Sequence, residues 1–254
     1  MILGSASKRR ADLLRQLGLE FTVYPAPIDE SICGTPEPAS YVCGLSIKKT
    51  DGVLAALSRG EPTVIGFDAA LVICADTIVV SPDSIIFGKP ADGEDAKKML
   101  RALSGKWHTV YTGVTLTEIR AESRTEPRTE PKVESESDEL GASRPATVKT
   151  ESESAVLDTC RPATVRIGLG ASRPASVRND TDFVRTRVKM LDLADGLIDR
   201  YVDSGEPDGK AGAYAIQERG SLFVERIDGC YSNVVGLPLP RLSQMFGKMG
   251  YDLI

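Results

Sequence analysis

The chain has 254 residues, 41% of them apolar, with a formal net charge of −5 at pH 7 and a pI near 5.2. That is enough for one large domain or two small ones with a buried core, and the acidic balance argues against a general nucleic-acid or membrane-surface binder, which would carry a basic surplus. No stretch approaches the roughly 20 continuous apolar residues of a membrane helix, and Met1-Ile-Leu-Gly4 lacks the apolar core of a secretory signal, so a cytoplasmic protein is expected.

Met1 to Gly4 reads as a very short strand, followed by Ser5-Ala-Ser-Lys8-Arg9-Arg10 and an amphipathic helix carrying Leu13, Leu14 and Leu17 that Gly18 ends. Cations at a helix start oppose the macrodipole, so Lys8, Arg9 and Arg10 make sense if an anion such as a polyphosphate lies on that turn; the plainer alternative is a solvated basic cluster. Phe21 to Tyr24 is a second strand leading to Asp29 and Glu30, and Glu37-Pro38 opens a helix to about Leu57 in which Lys48-Lys49 reads locally as a solvated flank.

Leu71 to Val80 is an apolar run with Asp76 in its middle, read as one buried strand. An ionised carboxylate there needs a cation or a dense hydrogen-bond shell. Ser81-Pro-Asp83 makes a turn, and Ile85 to Pro90 a short partner strand that brings Lys89 back near Asp76. A helix from about Asp92 to Leu103 and a strand from Trp107 to Leu116 follow. His108, the single histidine, starts that strand and reads as structural. The five cysteines are odd in number, widely spaced and never in a CxxC pair, which points to reduced thiols rather than disulfides or a zinc ribbon. Catalysis should therefore rest on carboxylates, lysines and arginines.

From Ile119 to Asp180 there is no aromatic residue, and Arg-Pro-Ala-(Thr/Ser)-Val recurs at residues 144, 161 and 173 with unequal spacing. Such composition does not offset ordering entropy, and the irregular repeat excludes a solenoid. The expectation is a disordered insertion at about 119–180 interrupting a single domain that spans residues 1–254. Phe183 to Val188 is then a strand able to pair with the one before the insertion, and a helix runs from about Leu193 to Val202. Ser204 to Tyr214 is a glycine-rich loop, Leu222 to Ile227 a strand, and Pro238 to Met249 a closing helix.

Leu3-Gly-Ser-Ala-Ser-Lys-Arg-Arg10, Ala75-Asp76-Thr77 with Gly88-Lys89-Pro90 and Leu103-Ser-Gly105, Ser204-Gly-Glu-Pro207 through Lys210-Ala-Gly-Ala-Tyr-Ala-Ile-Gln217, and Tyr231-Ser-Asn-Val-Val-Gly-Leu-Pro238 together resemble the Maf-like nucleotide pyrophosphatases. The resemblance implies an elongated α/β fold with a central mixed sheet flanked by helices. It implies cleavage of a nucleoside triphosphate between the α and β phosphates, with a divalent cation, Mg²⁺ or Mn²⁺. It assigns Asp76 as the catalytic carboxylate, Ser5, Ser7, Arg9, Arg10, Lys49 and Lys89 to the phosphates, and Asp76, Glu30 and Glu206 to the metal. Arg9, Thr77 and Gln217 resemble the branch acting on dTTP and UTP rather than 7-methyl-GTP, with the Gln amide and Thr hydroxyl reading a pyrimidine edge.

The chain departs from the pattern at Lys8, usually proline, at Gly209, usually an acid, and at Glu218, usually glycine; its first strand is also short. The expected role is removal of excess or modified pyrimidine nucleotides. The alternative is a catalytically weak nucleotide-binding regulator of cell division acting through the insertion. No nucleic-acid or membrane partner is expected, and a homodimer is left open beside a monomer.

Overall fold

The computed structural model describes residues 1–27, 37–60, 69–120 and 176–253. The chain separates into two compact units, Met1–Glu122 with Val165–Ile254, and Ser123–Thr164; the second lies outside the described residues, and every element below belongs to the first. In chain order these are β1 (Ile2–Leu3), α1 (Lys8–Gln16), β2 (Thr22–Val23), α2 (Pro38–Ser58), β3 (Ala69–Val80), β4 (Ile86–Phe87), α3 (Gly93–Leu103), β5 (Trp107–Arg120), β6 (Ser176–Met190), α4 (Asp195–Asp203), β7 (Val224–Asp228), α5 (Tyr231–Val235) and α6 (Leu239–Lys248). Short 3₁₀ turns occupy Ala211–Ala213 and Arg219–Phe223.

The fold is α/β around one mixed seven-stranded sheet, ordered β2-β1-β3-β5-β6-β7 with β4 added to β3. β1 runs parallel to β2 and β3, while β3, β5, β6 and β7 form an antiparallel series. β3 is apolar almost throughout because both of its faces are covered. Val72 and Cys74 meet Val53, Leu54 and Leu57 of α2 on one face. Ile73 and Ala75 meet Leu13 and Leu14 of α1 and Leu242, Met245 and Phe246 of α6 on the other. Further along that second face, Val79 joins Met99, Leu100 and Leu103 of α3 and Ile198 and Tyr201 of α4.

The hairpin of β5 and β6 keeps one unbroken register from Trp107↔Lys189 to Arg120↔Ser176. This corrects the expected limits of the insertion: Ile119–Arg120 and Ser176–Asp180 belong to the sheet, and Ile119 is fully buried against Val53, Leu54 and Leu57. The polar composition of the region hid an alternation in which Ile119 and its partner Val177 supply the apolar contacts. The rest of the expected insertion, 121–175, lies outside the described residues.

The sheet leaves a gap that positions the site. β1 ends with Leu3 opposite Ile73, and the Gly4 N–H still reaches the Ile73 carbonyl at 2.8 Å. β4 ends with Phe87 opposite Val79. Between them, the β3 edge from Cys74 to Ile78 has no strand partner among the described residues, so side chains from both faces of β3 open onto the same space.

Candidate active site

That space is a cleft of about 710 Å³, within the size range of small-molecule sites. Its walls come from the turn before α1, the middle of α2, the β3 edge, the β3–β4 hairpin, the loop 208–218 and the loop after α5. Six cations (Lys8, Arg9, Arg10, Lys49, Lys89 and Lys210) and three carboxylates (Asp76, Asp208 and Glu218) line it. An acidic protein thus concentrates a positive surplus in one cleft, which suits a polyanion.

Asp76 lies at the unpaired β3 edge, its side chain 12% exposed, and forms an ion pair through Oδ1 with Lys49 Nζ. Lys49 reaches it from α2, so the lysine that looked like a solvated flank is itself only 13% exposed and faces the buried acid. This pairing answers the cost of burying a carboxylate in an apolar strand. Lys89, just past β4, lines the same cleft.

Ser7 is the N-cap of α1, its hydroxyl 3.5 Å from the Arg10 N–H, and no acid stands in the first helical turn. The helix therefore presents its dipole and three cations together to the cleft. Arg10 is buried, and its guanidinium donates to Ser5 Oγ at 2.9 Å, to Thr77 Oγ1 at 3.0 Å and to the Gly236 carbonyl at 2.7 Å. Thus Arg10 ties together three walls of the cleft, a structural role that its place in a basic run does not disclose. Arg9 is half-buried; burial pushes its guanidinium pKa down, and the nearby Glu218 carboxylate opposes that.

The loop 208–218 is shaped by its glycines. Gly212 has φ +68, and a Cβ there would lie 2.8 Å from Val79; its N–H donates to the Gly88 carbonyl at 3.0 Å, pinning the loop to the hairpin that carries Lys89. Gln217 and Glu218 follow at the rim, both exposed and both lining the cleft. Glu218 pairs with Lys210 at 3.3 Å.

Glu30 lies outside the described residues. Glu206 is not among the residues lining the cleft; its carboxylate accepts from Tyr201 Oη at 3.0 Å and from the Arg219 and Gly220 N–H groups at 3.2 and 3.0 Å. Those bonds stabilise the turn at 219–223. Asp208 is the loop carboxylate that does line the cleft. Among the described residues no three His, Cys, Asp or Glu side chains gather as an ion cage.

The sequence profile described as "Maf-like protein" matches residues 1–143 and 161–249. The dTTP/UTP pyrophosphatase of Caldicellulosiruptor bescii is 37% identical over 254 residues, covering 100% of this chain and 96% of its own length. Proteins of the same name from Pelotomaculum thermopropionicum and Acetivibrio thermocellus are 37% and 35% identical, again over 100% of this chain and over 98% and 97% of their own lengths. The chain belongs to the Maf-like family.

The departures from the Maf-like pattern now have a physical setting. Gly209 has φ +70, a left-handed conformation that glycine adopts without strain, and the neighbouring Asp208 supplies an acid to the cleft. Glu218, in place of a glycine, adds a carboxylate between Arg9 and Lys210. Lys8 is an exposed first-turn residue. Sequence reasoning missed Thr112 and Asn233, both fully buried; Thr112 bonds Thr77 at 2.9 Å and the Asn233 carbonyl at 3.0 Å. Thr112 is one of four threonines in β5, with Thr109, Thr115 and Thr117, so nothing local marks it out, and only the register Thr77↔Thr112 reveals it. Asn233 was legible only as part of the Tyr231 to Pro238 motif.

Proposed function

We propose that this chain is a nucleoside triphosphate pyrophosphatase acting on dTTP, UTP and related modified pyrimidine nucleotides. Water attacks the α phosphorus, the bond to the β-phosphate oxygen breaks, and nucleoside monophosphate and pyrophosphate leave. The observation that carries the reading is Asp76, a buried carboxylate at an unpaired strand edge, inside a cleft with a surplus of cations. The names of the full-length relatives support it.

In this reading the α1 turn with Ser5, Ser7 and Arg9, together with Lys49 and Lys89, receives the phosphates, and Arg10 holds that wall in place. Lys49 exchanges part of its contact with Asp76 for a phosphate oxygen, and Asp76 orients the attacking water and takes its proton. Thr77 and Gln217, on the other side of the β3 edge, meet the base.

Mg²⁺ is commonly held by one or two carboxylates plus substrate phosphates rather than by an all-protein cage. Asp76 beside a phosphate site, with no cage among the described residues, fits that pattern, and Asp76 with Glu30 would hold the ion. When bound, it would neutralise charge on the phosphates and polarise water. We also read residues 1–120 and 176–254 as one catalytic domain interrupted by the segment between them.

The test is a turnover screen of nucleoside triphosphates with Mg²⁺ and pyrophosphate detection. Release from dTTP and UTP in preference to GTP and 7-methyl-GTP is expected. Tight binding without turnover would contradict the enzyme reading and favour a nucleotide-binding regulator.

A further inference from the structure

The hydrogen bonds around Thr77 have a fixed direction. Thr112 is fully buried on β5, directly opposite Thr77 in register, and is not among the residues lining the cleft. A hydroxyl has one proton, and Thr112 donates its own to the Asn233 carbonyl at 3.0 Å. In the 2.9 Å contact between the two hydroxyls, Thr77 is therefore the donor and Thr112 the acceptor. Arg10 Nη2 in turn donates to Thr77 at 3.0 Å. Arg10 is held by Ser5 and Gly236, and Asn233 by bonds to the Val110 carbonyl at 3.1 Å and Thr186 Oγ1 at 2.9 Å. Both ends of the chain are anchored. Thr77, which lines the cleft, is left with one lone pair and no proton to offer.

We propose that Thr112 is a positioning residue for substrate choice, locking the Thr77 hydroxyl as an acceptor toward the cleft so that it favours a base edge presenting an N–H. The inference rests on the reading above that Thr77 meets the base. Uracil and thymine present a ring N3–H donor, whereas cytosine presents a bare N3 acceptor at the same place. A freely rotating hydroxyl would serve both; a locked one favours the imide. Polarity set from behind the strand, rather than pocket shape, then biases the site toward UTP and dTTP over CTP.

The same bonds join β3, β5 and α5, so a merely structural role must be separated. Such a role would lower activity toward all nucleotides in proportion. The experiment measures kcat/KM for UTP and CTP in the wild type, Thr112→Ser, Thr112→Val, Thr77→Val and the double variant Thr77→Val/Thr112→Val. Binding of α,β-methylene UTP and CTP is measured in parallel, so the ratio is read even without turnover. Thr112→Ser should keep the wild-type UTP:CTP ratio. Thr112→Val frees the Thr77 proton to point into the cleft and should lower that ratio about fivefold or more. In the Thr77→Val background the Thr112→Val change should leave the ratio unmoved. If Thr112→Val does not fold, Thr112→Ala is read in the same way. An unchanged ratio in Thr112→Val, with both efficiencies reduced alike, overturns the proposal. An unchanged ratio in Thr77→Val overturns the base assignment beneath it as well. Absence of pyrophosphate release from the wild type contradicts the enzyme reading alone, since the binding ratio still tests Thr112.

Discussion

Gln217 and Arg10 look equivalent as polar residues of one cleft, but their surroundings give them different work. Gln217 is exposed at the rim; on the proposal that its amide meets the base, Gln217→Leu leaves base polar groups unpaired at about 1–3 kcal/mol each. Measured kcat/KM for UTP and dTTP should fall by about tenfold or more, while that for GTP changes little. Arg10→Ala removes the bonds to Ser5, Thr77 and Gly236 together, so all triphosphates should suffer alike. The UTP:GTP ratio in the two variants checks this.

His108 offers a second prediction at this scale. It is 2% exposed, and its Nε2 lies 2.7 Å from Tyr214 Oη. Burial pushes its pKa down from 6.5 to about 4. Because the unfolded chain binds the proton more readily, stability is intact above pH 6.5 and falls as the pH drops toward 4, by about 3 kcal/mol from this residue alone. Urea midpoints of the wild type should decline more steeply over that window than those of His108→Gln.

At the scale of elements, apolar periodicity was the readable part. α3 follows an apolar spacing at Ala96, Met99, Leu100 and Leu103 and is capped by Asp92, whose side chain accepts from the Asp95 N–H at 2.8 Å; β3 declared itself by a long apolar run interrupted by Asp76 and Thr77. What was not readable came from tertiary register. The hairpin β5–β6 extends beyond its apolar residues, with Thr115, Thr117, Glu118 and Ile119 all buried in β5 and Glu118 held there by Arg120, Arg178 and Tyr251, and α5, five residues long with no side-chain cap, owes its place to the bonds of Asn233. The cleft residues were legible mainly as motifs. Which side chain does what, with Arg10 joining the walls of the cleft and Glu206 outside it stabilising a turn, depends on which atoms meet. The loop 208–218 gives the prediction here: Gly212→Ala imposes both positive φ and a clash with Val79, and should lower stability by about 1–3 kcal/mol. The urea midpoint reads the stability loss, and kcat/KM should fall as the loop leaves the Lys89 hairpin.

For the molecule as a whole, the sheet register brings the two flanks of the 121–175 segment side by side. Arg120 and Ser176 are paired neighbours, so a short turn joining them should replace 121–175 without disturbing β3 or the cleft. Such a deletion is expected to hold kcat within a few-fold of the full chain, and loss of the folded state would place that segment in the core. The most direct measurement is pyrophosphate release from UTP by Asp76→Asn, which removes one charge from a nearly isosteric group. A fall in kcat of about 10²-fold or more is expected, with circular dichroism and UTP-analogue binding retained. Turnover at the wild-type rate in that variant would contradict the catalytic assignment of Asp76.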